Sequence, residues 1–161
     1  MQALTSKQVW QILEEVKDPE IPVVSVVEMG MIRQVSLDED QVFVRMAPTF
    51  AGCPALQVMR SEIEARLQQA GANQVQVQLI FSPPWSTDWI TTQARKKLKA
   101  FGLAPPPQHG GDFERLLQEA ATCPYCDSQN TQLKNDFGPT LCRAIYVCQD
   151  CKQPFEQFKP I

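Results

Sequence analysis

Four cysteines constrain this chain more than any other feature. They stand as Cys123-Pro-Tyr-Cys126 and Cys148-Gln-Asp-Cys151, a C-x2-C-x21-C-x2-C spacing. Each C-x2-C turn can offer two sulfurs to one ion, and two such turns at the tips of hairpins complete a tetrahedral all-sulfur site. About forty residues cannot bury an adequate core alone, so a metal supplies the missing stability. Tyr146 and Val147 before the second pair, and Phe155 and Phe158 after it, read as ribbon strands packed around the site. Zinc is the expected occupant, and four thiolates also suit a rubredoxin-type iron.

Competing readings of these cysteines need other contexts. Two disulfides require an oxidising compartment. The opening MQALTSKQVWQILEEVK is polar and amphipathic and lacks a signal peptide's apolar stretch. No apolar run reaches the ~18 residues that cross a bilayer. A cytoplasmic protein with reduced thiols is therefore expected. Cys-Pro-Tyr-Cys is also the dithiol of glutaredoxins, but that chemistry needs a strand before it, a helix after it and a thioredoxin-like fold. Only 35 residues follow Cys126, and they hold the second cysteine pair. Cys142 is expected as a buried small hydrophobe beside the ribbon, with a competing role as ligand the alternative.

Charge narrows the partners. The whole chain carries -3, and residues 104–161 carry five Lys+Arg against seven Asp+Glu, a formal -2. Four thiolates on one Zn²⁺ add a further -2, so the ribbon should repel phosphate backbones. A protein partner is expected, and neither nucleic acid nor membrane.

Residues 1–103 read as an α+β domain of order α-β-β-α-β-α, with a three-stranded mixed sheet covered by helices. Thr5 and Gln8 have capping-box spacing, Leu4 can staple against Val9, and Val9, Ile12, Leu13 and Val16 form one apolar face. Asp18-Pro19 ends this helix. A loop with Pro22 and Gly30 follows. Strands over 31–37 and 41–46 flank Asp38-Glu39-Asp40, a short hairpin loop. Leu56, Met59, Ile63 and Leu67 share a helical face that Gly71 ends. Val75, Val77, Leu79 and Phe81 alternate with glutamines as in a half-buried strand. A last helix is expected from about Asp88 to Phe101, with Ile90, Ala94, Leu98 and Phe101 inward. Residues 104–120 read as a linker and short helix, Ala104 to Gly111 being stiffened by three prolines and loosened by two glycines. Residues 121–161 are the four-cysteine zinc ribbon.

Cys53 lies in Pro48-Thr49-Phe50-Ala51-Gly52-Cys53-Pro54. Pro54 fits a first helical position, so Cys53 falls at or near the N-cap, where the helix dipole favours a thiolate. Gly52 leaves room for a ligand. The same residues also allow an ordinary half-buried cysteine. Asp18-Pro19-Glu20 offers two carboxylates in a tight turn, for which helix termination and solvated charge compete with cation or partner binding. Arg95, Lys96, Lys97 and Lys99 read as a solvated basic face. His109, the one histidine, falls in the linker. The chain has no Glu-x-x-His pair, P-loop or dinucleotide fingerprint, so a self-contained enzyme is not expected.

Three stretches carry a family resemblance. Asp18-Pro19-Glu20-Ile21-Pro22-Val23 through Met29-Gly30-Met31-Ile32 resembles the opening motif of the iron–sulfur assembly domain family that includes SufT. Thr49 through Cys53-Pro54 resembles its second motif, and PPWSTDWITTQARKKLKAFG (83–102) is similar to its C-terminal helix. The added Cys-Pro-Tyr-Cys ribbon and the stretch Phe137 to Cys142 look like the PaaD family, which accompanies the multicomponent phenylacetyl-CoA epoxidase. Met29 stands where many relatives have leucine. The resemblance implies a non-catalytic accessory factor in aerobic phenylacetate catabolism that assists iron or iron–sulfur site assembly. Its implied partners are oxygenase or reductase subunits, and a homo-oligomer is left open. It also implies a transfer site of Cys53, Asp18, Glu20 and Thr49, with Cys53 a transient ligand for iron or a cluster and Trp85 lining the pocket. The alternatives are a stoichiometric structural or electron-transfer subunit of the oxygenase complex and, against the acidic ribbon, a nucleic-acid-binding regulator.

Overall fold

The structure is a computed structural model that describes residues 4–39 and 41–161. It forms two compact units, 1–85 and 86–161.

The first unit opens with helix α1, Ser6–Glu15. Thr5 caps it through the capping box with Gln8, as the spacing implies. Strands β1 (Ile32–Asp38) and β2 (Gln41–Met46) pair antiparallel, with Asp38 opposite Gln41. The Asp38-Glu39-Asp40 loop expectation rests partly on Asp40, which lies outside the described residues. Helix α2, Ala55–Gln69, follows. The N–H of Gly71 then bonds to Gln68 O and that of Ala72 to Leu67 O, with Gly71 at φ 111. That pair of bonds satisfies the helix's last carbonyls and needs a left-handed residue, hence the glycine. Strand β3, Gln74–Leu79, pairs parallel with β2, so the sheet is mixed, in the order β1-β2-β3.

One face of this sheet holds the core. Val42, Val44, Met46 and Val77 lie on it, and Val9 and Leu13 of α1 and Met59, Ile63 and Leu67 of α2 are buried as they are, all at most 2% exposed. Period-two alternation puts Gln34, Ser36, Arg45, Gln74, Gln76 and Gln78 on the opposite, open face. The stretch after α1 is a loop closed by one isolated antiparallel bridge, Lys17 to Ser25, and it is packed. Ile21, Val24, Ser25, Val26 and Met29 are buried, and Val26 N–H and Asp18 N–H bond to Val16 O and Val24 O. Trp85 is 4% exposed and donates its indole N–H to Met29 O at 2.8 Å, which fixes the end of that loop.

The second unit begins earlier than the sequence expectation of a boundary at 103. The physical reason is the hydrogen bonding of residues 86–103. Thr87 N–H and Oγ1 and Ser86 Oγ all donate to Ile161 O. Arg95 binds Thr87 O at 2.6 Å and Pro106 O. Strand β4, Leu103–Ala104, pairs parallel with strand β7, Pro154–Phe158. The expected long last helix is divided. A 3-10 turn occupies Thr87–Trp89, and α3 starts at Thr92 because Thr91 caps it through Ala94 N–H. Ile90, Ala94 and Leu98 are buried as expected. Phe101 is 46% exposed instead, because α3 ends at Ala100 and the chain turns through Gly102 at φ 88. Phe81 is likewise 58% exposed, since β3 stops at Leu79, short of it.

The proline-rich linker is a pinned strap. His109 is 6% exposed. Its Nδ1 accepts from Gly111 N–H at 3.0 Å, which places the ring proton on Nε2, facing Ser86 Oγ and Ile161 O at 3.2 Å each. Asp88 accepts the backbone N–H groups of His109 and Gly110. After helix α4, Phe113–Gln118, come β5 (Thr131–Asn135) and β6 (Arg143–Cys148). The four-stranded sheet runs β4-β7-β6-β5.

Candidate functional site

The four ribbon sulfurs are gathered by two turns of the same construction. In the first, Cys123 O accepts from Asp127 N–H, Cys123 N–H bonds to Ser128 O, and Asp127 has φ 61. In the second, which joins β6 to β7, Cys148 N–H bonds to Gln153 O and Lys152 has φ 62. Gln149 N–H to Asn130 O and the Asn130 amide to Asp150 tie the two turns together. Cys123 and Cys151 sulfurs stand 3.7 Å apart, Cys126 and Cys148 sulfurs 3.6 Å apart, and all four lie within 4.8 Å of one another. A zinc ion about 2.3 Å from each of four tetrahedral sulfurs would set them about 3.8 Å apart. The donor set fits, and the distances are far beyond the ~2.05 Å of a disulfide.

The turns act unequally on the sulfurs: against the Ser128 N–H, burial and the neighbouring cysteine sulfurs push the Cys126 thiol up to about 12, and against the Gln153 N–H burial raises Cys151. Backbone N–H groups, that of Cys151 foremost and that of Asp150 after it, hold the Cys148 thiol down to about 6 against the burial that raises it. Tyr146 stacks on Phe155 at 5.7 Å, and Ala104, Ala121 and Phe155 wall in Cys123 and Cys148. Cys142 is 8% exposed with its sulfur 3.1 Å from Thr140 Oγ1, outside the cluster, as its reading as a small buried side chain expects. Strand β5, not a helix, follows Cys126, so the glutaredoxin arrangement is absent there.

The first unit brings Cys53, Asp18 and Glu20 near one another. Pro54 has helical dihedrals (φ -65, ψ -25), which leaves Cys53 at the mouth of α2. Burial raises the Cys53 thiol pKa, and the negative charges of Glu20 and then Asp18 add to that rise. The Ala55 and Leu56 N–H groups oppose it without prevailing. Of the two readings left open for Cys53, this direction favours the half-buried neutral thiol: desolvation and two carboxylates outweigh the helix end. A cation placed among them would reverse the balance, because it attracts all three groups. Among the described residues, the ribbon cysteines are the one group of three or more metal-ligating side chains gathered closely enough to hold an ion, so Cys53, Asp18 and Glu20 do not form such a group in this geometry.

Asp18 is 9% exposed, and its Oδ1 accepts from Glu20 and Ile21 N–H at 2.8 and 3.3 Å. One carboxylate oxygen thus builds the turn that presents Glu20. Ser25 and Glu28 lock the same loop by exchanging side-chain-to-backbone bonds at 3.0 and 3.1 Å. Their S-x-x-E spacing was the available signal for that lock. Thr49 is half-buried at the end of β2's exit, four residues before Cys53. Trp85, expected to line the pocket, is 4% exposed with its indole N–H on Met29 O. Arg95 departs from a solvated basic face, being half-buried on backbone carbonyls, and Lys99 pairs with Asp127. Ser86, His109 and Asp88 lie together, but the proton on His109 Nε2 faces Ser86, so the ring cannot act as a base toward it.

Residues 6–79 match the family described as iron-sulfur cluster assembly protein, and residues 107–159 match the PaaD zinc beta ribbon domain. A protein of Escherichia coli (strain K12), provisionally named as one of the subunits of 1,2-phenylacetyl-CoA epoxidase, is 37% identical over 96% of this chain and 92% of its own. An Fe-S protein maturation auxiliary factor of Porphyromonas gingivalis (strain ATCC BAA-308 / W83) is 31% identical over 58% of this chain and 90% of its own. Among solved structures, a domain of unknown function DUF59 from Bacillus anthracis aligns with TM-score 0.54 and 28% identity over 57% of this chain and 89% of its own. A conserved hypothetical protein from Thermotoga maritima aligns with TM-score 0.53 and 29% identity over 61% of this chain and 97% of its own. Among the described residues no helix is long and apolar enough to cross a membrane.

Two outcomes are expected from this geometry. Stripping the ribbon metal with a chelator should raise amide hydrogen exchange throughout β5–β7 while β1–β3 stay protected; equal protection before and after would show that the ribbon holds without metal. Glu20→Gln removes a charge that raises the Cys53 pKa, so iodoacetamide should label Cys53 faster near pH 8, read by peptide mass spectrometry. An unchanged rate would mean that Glu20 does not act on the thiol.

Proposed function

The chain belongs to the PaaD family of the phenylacetyl-CoA epoxidase system, and from that premise we propose that it is an accessory factor helping another component of the oxygenase acquire its iron or iron–sulfur site. The observation that carries this reading is the union in one chain of an iron–sulfur assembly domain and a PaaD ribbon. The name of the Porphyromonas relative, a maturation auxiliary factor, supports the same direction.

The chemistry of the first unit suits brief custody of a cation. A thiol whose pKa is raised stays protonated until a metal displaces the proton, and that proton competes with the metal for the sulfur. Competition of this kind weakens holding and eases release, as a carrier needs. In this reading Cys53 is the transient ligand, Asp18 and Glu20 attract the cation, and Thr49 borders the site. The ribbon, stapled by zinc at Cys123, Cys126, Cys148 and Cys151, is a rigid acidic body that docks on an oxygenase or reductase component in the cytoplasm. The chain itself performs no oxygen chemistry.

The test is metal and acid-labile sulfide per chain in anaerobically purified wild type and Cys53→Ser. One zinc in both, with iron or sulfide in wild type alone, is the expected result. Iron in place of zinc in both proteins would contradict the reading and favour an electron-transfer role.

A further inference from the structure

Strand β3 is an edge of the first sheet, and its outer side has none of the usual defences against pairing. Its sequence, Gln74-Val75-Gln76-Val77-Gln78-Leu79, holds no charge, proline or glycine, and its register with β2 is unbroken. Natural edges are blunted by charges, bulges or brevity. The other three edges among the described residues are so protected. Strand β1 carries Arg33 and Asp38 and an irregularity between Ile32 and Gln34. Strand β5 carries Lys134 and an irregularity between Leu133 and Asn135. Strand β4 has two residues.

The orientation of the free groups can be read from one bond. Ile80 N–H bonds to Met46 O, so the even-numbered residues of β3 turn their backbone groups toward β2. The N–H and C=O groups of Val75, Val77 and Leu79 therefore point outward. Their side chains lie on the helix-covered face, and the three glutamines lie on the open face.

Residues 74–78 read Gln-Val-Gln-Val-Gln in either direction. An antiparallel partner of the same sequence, related by a two-fold axis at Gln76, sets Gln76 against Gln76, Val75 against Val77, and Gln74 against Gln78. Both sheet faces match, because directly opposed residues in an antiparallel pair share a face. The outward groups of Val75 and Val77 meet as hydrogen-bonded pairs. A shift by one residue would put glutamines against valines and mix the faces. No like charges oppose each other across the seam. The nearest charged side chain on the open face, Arg45, sits one strand in, and its row runs through the partner's Gln74 and the partner's Gln41 toward the partner's Asp38.

We propose that the outer edge of β3 pairs antiparallel with the β3 edge of a second copy of this chain, about a two-fold axis at Gln76, joining two three-stranded sheets into one of six strands. Such an isologous contact suits a self-complementary segment. Two short edges bury less than the ~1,000 Å² of a lasting interface, so the dimer forms reversibly and depends on concentration. This inference is independent of the metal sites.

Sedimentation velocity on the full metal-loaded chain tests it. Wild type should pass from monomer to dimer as concentration rises. Gln76→Lys and Gln76→Glu, each placing like charges face to face on an exposed position, should each weaken the dimer about fivefold. An equimolar mixture of the two should recover wild-type association or better, which also shows that both variants fold. Ser36→Lys, on the same open face but at the β1 side, should leave association unchanged. A wild type that stays monomeric at every concentration would overturn the proposal, including the case where its β3 edge is protected only by a different protein. So would a dimer indifferent to Gln76, or a mixture that fails to recover.

Discussion

Four sulfurs within 4.8 Å of one another repel as soon as they lose their protons, and only a cation at their centre makes that gathering favourable. Much of the second unit follows from this constraint. The two cysteine turns take the left-handed residues Asp127 and Lys152 because the backbone must curl until its N–H groups face the sulfurs. Strands β6 and β7 meet at the second turn, so the metal fixes the end of their hairpin. The segment from Ser86 to Gly111 then meets that sheet through β4 and Ile161 through His109, while Arg95 ties the segment to itself at Thr87 and Pro106.

The first unit answers a different demand. Its core is an ordinary sandwich of helices on one sheet face, but the loop from Val16 to Met31 is unusually well fastened. Asp18, Ser25, Glu28 and the Trp85 bond to Met29 all hold it. That fastening lets two carboxylates stand close enough to Cys53 to raise its pKa. The ribbon turns hold Cys148 toward its anion, whereas the loop holds Cys53 toward its neutral thiol. What sets the ribbon apart is the gathering of four sulfurs within 4.8 Å of one another.

The ribbon and the α-β-β-α-β-α order were legible because their signals are local: cysteine spacing, a capping box at Thr5, alternation in β3 and the helical face of Met59, Ile63 and Leu67. What escaped depended on distant partners. The sequence around His109 reads as a loose linker, since nothing nearby announces that Asp88, Ser86 and Ile161 will enclose it. Arg95 looks like one of four surface cations until Thr87 O and Pro106 O receive it. Phe81 and Phe101 fit the periodicity of their neighbours, but each stands just beyond the element's last residue, where periodicity no longer governs direction. For Cys53 the helix-end argument was sound in sign and insufficient in size, because burial and two carboxylates act against it.

The role we propose for this chain is to help an oxygenase component acquire its iron or iron–sulfur site. The most direct measurement is the iron and acid-labile sulfide content of the oxygenase and reductase components purified from cells lacking the chain, with wild type or Cys53→Ser restored. The account predicts that one component is metal-deficient without the chain, is refilled by wild type and stays deficient with Cys53→Ser. Fully metallated components in the chain's absence would contradict it.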